Sequence, residues 1–303
     1  MVTTQTPEIS VPIAAKPAIS KPQFEFRDAT RALLLIAILA AFVYRHVLWK
    51  LVQAWWGDPN YSHGFLMPVF AAFVIWRMRE KLARTILEPT WWGLPVCLAA
   101  MGLLIVGDFG AEYFSSRLSL LVLAAGAILL FLGWVHLRTL AFAMSMLLLT
   151  IPIPTILLNQ ITFPLQLWAS RFATGLLSAA GVPVLRDGNV IQLPSTALEV
   201  VTACSGIRSL VSLIALAAAF GYLKEHRVWH RWALVILAVP IAIAANSLRI
   251  MGTGLLAQYW DPDKAEGFFH LFEGWVIFVL SMSLLVAADS VISHFSGLRS
   301  KSV

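Results

Sequence analysis

Apolar runs of about twenty residues recur along most of this chain, and that recurrence constrains the fold more than any other feature. Such runs lie near 31–47, 64–77, 92–107, 117–134, 139–157, 205–222, 232–256 and 269–290; the second is short, with room to begin within the Trp55–Tyr61 loop. About 20 apolar residues in a helix span the hydrocarbon core of a bilayer. Within that core every backbone N–H and C=O must find its partner inside the protein, so helices are the answer for runs of this length. Hydrophobic residues make up 59% of the chain and charged residues 13%. Soluble domains hold about 25% charged residues, so a single water-soluble core is excluded. The expected fold is all-α, a polytopic transmembrane bundle of about eight spans.

The polar segments sort into a few regions. Residues 1–30 begin with Pro7, Pro12, Pro17 and Pro22 among Thr, Ser and Ala and read as a flexible cytoplasmic tail. The membrane domain is expected over 31–296, with 297–303 as a second cytoplasmic tail. No cleavable signal peptide is expected, because a long polar stretch precedes the first apolar run. The stretch 161–181 is ambiguous: Gln166 and Arg171 interrupt it, and Pro164 and Pro183 bound it. It reads as a ninth span, a re-entrant segment or an interfacial helix. After it, Asp187-Gly188-Asn189 sits between short β-rich runs and predicts a surface hairpin within 182–203.

Orientation follows from Lys and Arg, which favour the cytoplasmic side. With a cytoplasmic N-terminus and 161–181 not crossing, the inside holds Lys16, Lys21, Arg27, Arg31, Arg77, Arg79, Lys81, Arg84, Arg138, Lys224, Arg227, Arg231, Arg299 and Lys301. The outside holds Arg45, Lys50, Arg117, Arg171, Arg186 and Lys264. Adding a crossing at 161–181 would move Lys224–Arg231 outside, so eight spans are favoured. The net charge of +6 is therefore spread over short loops as a topology signal, and no nucleic-acid partner is expected. The expected location is the inner membrane, multi-pass, in contact with the lipid bilayer.

Three residues then stand out. Cys204, in Thr202-Ala203-Cys204-Ser205-Gly206-Ile207-Arg208, lies where the hairpin enters a span. A helix N-terminus lowers a thiol pKa, and Arg208 one turn on adds a cation near the sulfur. Arg249, with Asn246 one turn earlier on the same face, lies inside a long apolar run, where a charge is costly. His270 opens the last run, and Gly274 one turn on admits a neighbouring helix. Each has a plain structural reading: a small packing thiol, a snorkelling arginine, an interfacial histidine. The charge-derived topology, however, puts all three at one depth on the outer face. A thiolate, a proton carrier and a cation together suit acyl transfer. Cys97 falls in the opposite half of the bilayer from Cys204, so the two cannot be bridged, and it reads as packing.

These segments resemble the exosortases, relatives of the archaeosortases. The resemblance rests on Tyr61-Ser62-His63-Gly64-Phe65-Leu66 with Pro68, on Ala203–Ser209, on Asn246-Ser247-Leu248-Arg249, and on His270 with Gly274. It implies a membrane-embedded cysteine protease/transpeptidase with catalytic Cys204, Arg249 and His270. Arg208, Asn246 and His63 are expected to contact substrate, although His63 beside Gly64 also reads as part of a tight turn. Arg186 and Glu199 in the hairpin are within reach of a substrate in sequence terms, but nothing in the sequence fixes their direction. The implied partners are membrane proteins ending in a Pro-Glu-Pro-like motif, a transmembrane helix and a basic tail. The family often accompanies exopolysaccharide synthesis, and no metal or other cofactor is implied. Some members carry a long extra C-terminal domain, which is not expected here. The rival class is a transporter or channel component, with Arg208 and Arg249 lining a path for an anionic solute. No internal repeat favours it.

The orientation is directly testable. Reporter fusions placed after Lys264 should be active on the outer side of the membrane, and fusions after Arg227 inactive there. The opposite pattern would remove the common face of the three residues.

Overall fold

The computed structural model describes residues 26–110, 112–200, 207–224, 227–259 and 276–294, without the side chains of Pro59, Ile207 and Arg208. Cys204, His270 and both expected tails, apart from residues 26–30, lie outside the described residues. In chain order the elements are α1 (Phe26–Val43), α2 (Arg45–Gly57), a 3-10 helix (Pro59–Phe65), α3 (Leu66–Arg77) and α4 (Arg79–Arg84). Then come α5 (Gly93–Phe109), α6 (Tyr113–Phe131), α7 (Trp134–Leu148) and α8 (Thr155–Ala179). Three short strands follow, β1 (Leu185–Asp187), β2 (Val190–Gln192) and β3 (Ala197–Glu199), then α9 (Ile207–Leu223) and α10 (Val228–Tyr259). The last described helix is α11 (Val276–His294).

By length and apolar composition, α6, α10 and α11 can each cross a membrane. The pair α1–α2, bent by 74°, makes a fourth candidate, and α5, α7 and most of α9 are apolar but shorter. A helical membrane protein is thus the architecture, although these criteria do not reach eight spans among the described residues.

One expected span is broken. The run 139–157 is not a single helix: α7 ends at Leu148, and α8 begins at Thr155. Between them lie Pro152 and Pro154, which lack the N–H a helix interior needs and disfavour helical backbone in the residue before. The ambiguous stretch 161–181 instead belongs mostly to α8, a single helix of 25 residues with Pro164 inside it. At 1.5 Å per residue α8 is about 37 Å long. It runs parallel to α10. Leu158 and Leu165 join Leu234, Ala238 and Ala242 of α10's first half. Ala169, Ala173 and Leu177 join Ile250 and Ala257 of its second half.

Helices α5 and α6 form the tightest pair, through small residues. A Cβ at Gly126 would meet Cys97 Sγ at 2.6 Å and the Cys97 backbone nitrogen at 2.9 Å. Gly93 lies equally close to the backbone of Gly126 and Leu130. Between membrane helices, packing of this kind supplies the attraction that a hydrophobic core supplies in water. Cys97 is therefore a packing residue, as its position in the sequence predicted.

On this geometry Gly126→Leu should separate α5 from α6. Overpacking of this kind costs about 1–3 kcal/mol. Thermal denaturation of the detergent-solubilised protein should show a clearly lowered midpoint. A midpoint equal to that of wild type would mean the close approach is not required.

Candidate functional site

Arg249 sits two-thirds of the way along α10. It is half-buried, and Asn246, one turn earlier, is 1% exposed. Ser247 Oγ donates to the Ile243 carbonyl at 2.8 Å, and Thr253 Oγ1 to the Arg249 carbonyl at 3.1 Å. These bonds keep small polar side chains satisfied on the helix itself, so α10 carries them through an apolar environment without loose donors.

The strands dock directly above this region. They form one antiparallel sheet in the order β1-β2-β3, with Asp187 paired to Val190 and Gln192 to Ala197. Gly188 in the turn has φ +59, the left-handed conformation that glycine adopts without penalty. The expected hairpin is therefore present, with a third strand added. Its underside, Ile191, Leu193 and Val200, packs on Ala173 and Leu177 of α8 and on Ile250 and Ala257 of α10. Polar bonds fix the same pose. Ser170 Oγ of α8 donates to the Gly188 carbonyl at 3.1 Å, and Ser195 Oγ donates to Gln258 Oε1 of α10 at 3.0 Å. Asn189 Nδ2 donates to the Val200 carbonyl at 3.2 Å, while Val200 N–H donates to the Asn189 carbonyl at 2.9 Å.

These contacts bracket Cys204. Four residues before it, Val200 is buried in the same cluster as Ile250, the neighbour of Arg249. Three residues after it, Ile207 opens α9. That helix runs antiparallel along α10: Gly221 near its end lies against Arg231 near the start of α10. Leu210, near the start of α9, shares a cluster with Ala242. Both flanks of the cysteine therefore meet α10 close to Asn246 and Arg249. Arg208 lies in the first turn of α9.

The Tyr61–Gly64 motif forms most of the 3-10 helix, which packs against α9. Its side chains bind the α7–α8 connection. Tyr61 Oη accepts from Ile153 N–H at 3.0 Å, and His63 Nε2 lies 3.3 Å from the Leu149 carbonyl. Trp55 Nε1 donates to the Thr150 carbonyl at 2.9 Å, and a Cβ at Gly64 would collide with the Trp55 ring. Burial pushes His63 toward its neutral form, while the Leu149 and Asn60 carbonyls pull the other way. His63 thus braces the 149–154 loop, and the 3-10 helix that carries it packs on α9. Arg186 and Glu199 are exposed on the sheet, and Arg186 Nη1 donates to the Gly188 carbonyl at 2.8 Å.

A further polar centre escaped the sequence reading. Asp289 of α11 is 1% exposed and takes Lys224 Nζ at 2.7 Å and His230 Nε2 at 2.9 Å. Those partners follow α9 and open α10, so one carboxylate joins three helices at the end opposite the hairpin. The signal was available: an aspartate inside the 269–290 apolar run is costly unless paired. Among the described residues no group of three His, Cys, Asp or Glu side chains converges as a metal site.

A family model described as transmembrane exosortase matches residues 55–287. No curated protein and no solved structure matches.

The Asp289 centre makes a stability prediction. Removing one partner of a buried ionic group costs about 3–5 kcal/mol, because the others lose their counter-charge. Asp289→Ala should lower the thermal midpoint in detergent sharply, and far more than Asp28→Ala at the exposed α1 pair with Arg31. Equal midpoints for the two variants would contradict the clamp.

Proposed function

The chain belongs to the transmembrane exosortase family, and from that premise we propose that it cleaves C-terminal sorting signals through a thioester on Cys204. Membership implies a cysteine transpeptidase in general. The substrates we propose are exported proteins ending in a Pro-Glu-Pro-like motif, a transmembrane helix and a basic tail, within a cell-surface or exopolysaccharide assembly system. The observation that carries the site assignment is the bracket around Cys204. Val200, before it, packs beside Ile250 of α10, and Leu210 of α9, after it, shares a cluster with Ala242, one turn before Asn246.

The topology fits eight crossings if α8 takes the place expected of 139–157. Because α8 parallels α10, it then crosses from inside to outside, and α7 with the 149–154 loop enters and returns on the inner side. Arg171 then lies within the outer half of α8, and no other Lys or Arg counted above changes side. The hairpin, Cys204, Arg249 and His270 all stay at the outer face, periplasmic in an inner membrane.

Chemistry follows from the residue types. The Cys204 thiolate attacks the substrate's backbone carbonyl carbon, and the electron pair moves to the oxygen. Arg249 bonds that oxyanion or orients the carbonyl, with a planar donor fork lysine lacks. On collapse the C–N bond breaks, and His270 gives a proton to the leaving amine. The acyl group then sits on sulfur as a thioester. An incoming water or amine loses its proton to His270, attacks the thioester and expels the thiolate. Arg208 and Asn246 line the approach, and His63 acts through the loop it braces. Anchoring the substrate helix in the bilayer holds its scissile bond at the outer interface, so the attack is effectively intramolecular.

The test is co-expression with a tagged substrate bearing the tripartite signal. Cys204→Ala and Cys204→Ser should abolish processing with expression intact, and Arg249→Lys should not restore it, a loss of at least about a hundredfold. Processing at the normal site by the Cys204→Ala variant would overturn the thiol mechanism and return Cys204 to a packing role, whereas no processing even by wild type would favour the transporter reading.

A further inference from the structure

Away from the proposed active site, two adjoining concavities lie at the end of the molecule that carries the basic loops. One is lined by Arg77, Glu80, Lys81, Arg84 and Thr85. The other is apolar, lined by Pro89, Thr90, Trp91, Leu130 and Phe131. The chain from Thr85 to Pro89 joins them. Four residues of extended chain reach at most about 14 Å, so the two lie within the dimensions of one lipid molecule.

Both walls are built. Helix α4 is held down by buried Leu82, whose carbonyl lies 3.2 Å from Nε2 of the fully buried His136. Across the apolar slot, Glu88 N–H donates to the Leu132 carbonyl and Thr90 N–H to the Leu129 carbonyl, each at 3.2 Å. Gly133, at φ +90, lets this segment come so close that a Cβ there would strike the Glu88 carbonyl. The basic wall and the apolar slot are therefore held by the fold and do not depend on a loose loop.

The chemistry of the two halves is complementary to one ligand class. Three cations and one carboxylate line the first. The carboxylate, Glu80, lies 3.8 Å from Arg84 with both side chains mostly exposed, a pair too weak to neutralise the site. Arg79 stacks over Trp76 at 4.5 Å and donates to its carbonyl at 3.1 Å. With Trp76 59% and Trp91 83% exposed, the region has the aromatic belt of a membrane interface. A topology signal needs only positive charge on this face. It needs neither convergence of that charge nor a slot beside it.

We propose that this is a binding site for one anionic phospholipid: Arg77, Lys81 and Arg84 hold the phosphodiester, and Trp91, Leu130 and Phe131 receive the acyl chains. Basic pockets beside membrane helices on the cytoplasmic side are suited to such headgroups. The site is separate from Cys204, Arg249 and His270 and does not depend on their assignment.

Native mass spectrometry of the full chain, loaded with phosphatidylglycerol or phosphatidylcholine, tests it. Wild type should retain phosphatidylglycerol at an occupancy at least about tenfold above phosphatidylcholine. The combined variant Arg77→Gln, Lys81→Gln, Arg84→Gln should lose that preference. Lys81→Glu alone should weaken it, which covers failure of the triple variant to insert. Arg27→Gln, Arg31→Gln, Arg138→Gln removes as many charges elsewhere on the same side and should keep it. Excess inorganic phosphate should leave the lipid bound. Equal loss in both triple variants would mean diffuse charge attraction, displacement by phosphate would mean a free-anion site, and equal retention of the two lipids would mean no headgroup recognition. Each of these results overturns the proposal.

Discussion

The parallel packing of α8 on α10 is the contact on which the rest of the arrangement depends. Ala169 and Ala173 let the two helices approach, and Leu177 fills the space over Gly254, whose Cβ would lie 3.0 Å from it. This pair forms the platform for the β1–β3 sheet. The sheet delivers Val200 to the side of Ile250, and α9, beginning at Ile207, packs antiparallel along α10. A helix pair thus sets where a surface hairpin sits, and the hairpin sets where the cysteine segment begins. Within a bilayer, water offers no drive for helices to associate, so small residues and satisfied polar groups must supply the specificity.

Polar groups inside the described bundle follow that logic. Several are bonded to their own helix or used to join elements. Ser247 and Thr253 bond backward along α10, whereas Ser170 reaches the hairpin turn. Asp289 gathers Lys224 and His230 and so ties α11 to the ends of α9 and α10. The Tyr61–Gly64 segment is another such joint, because its hydroxyl and imidazole meet the backbone of the 149–154 loop. That loop contains two prolines and cannot satisfy its own backbone as a helix would, so outside partners are a physical necessity.

How much was legible in the sequence depends on the faces being averaged. α5, α6 and α10 are apolar on nearly all sides, and their runs match the observed helices to within a few residues. The hairpin was legible because Gly188 and Asn189 admit the turn two adjacent strands require. α8 was not legible as one helix. Its protein-facing side holds Gln166 and Ser170, both buried, whereas Phe163, Trp168 and Phe172 are exposed on the other. A window average mixes the two faces and loses the lipid-facing apolar surface. The break at Pro152–Pro154 went unnoticed for the converse reason: Ile151 and Ile153 kept the local hydropathy high through a non-helical segment. Arg249 and Asn246 were legible because polar residues in a long apolar run are conspicuous. Asp289 was equally conspicuous in kind, but its partners Lys224 and His230 come from other helices and no spacing rule links them.

The central claim is that Cys204, which lies in the sequence between Val200 and the start of α9, forms a covalent bond to substrate. Peptide mass spectrometry of the enzyme captured with its substrate during turnover tests this most directly. The account predicts an adduct on the Cys204 peptide whose mass equals the substrate's acyl portion and which hydroxylamine releases. Turnover with an unmodified Cys204 peptide, or an adduct on another residue, would contradict it.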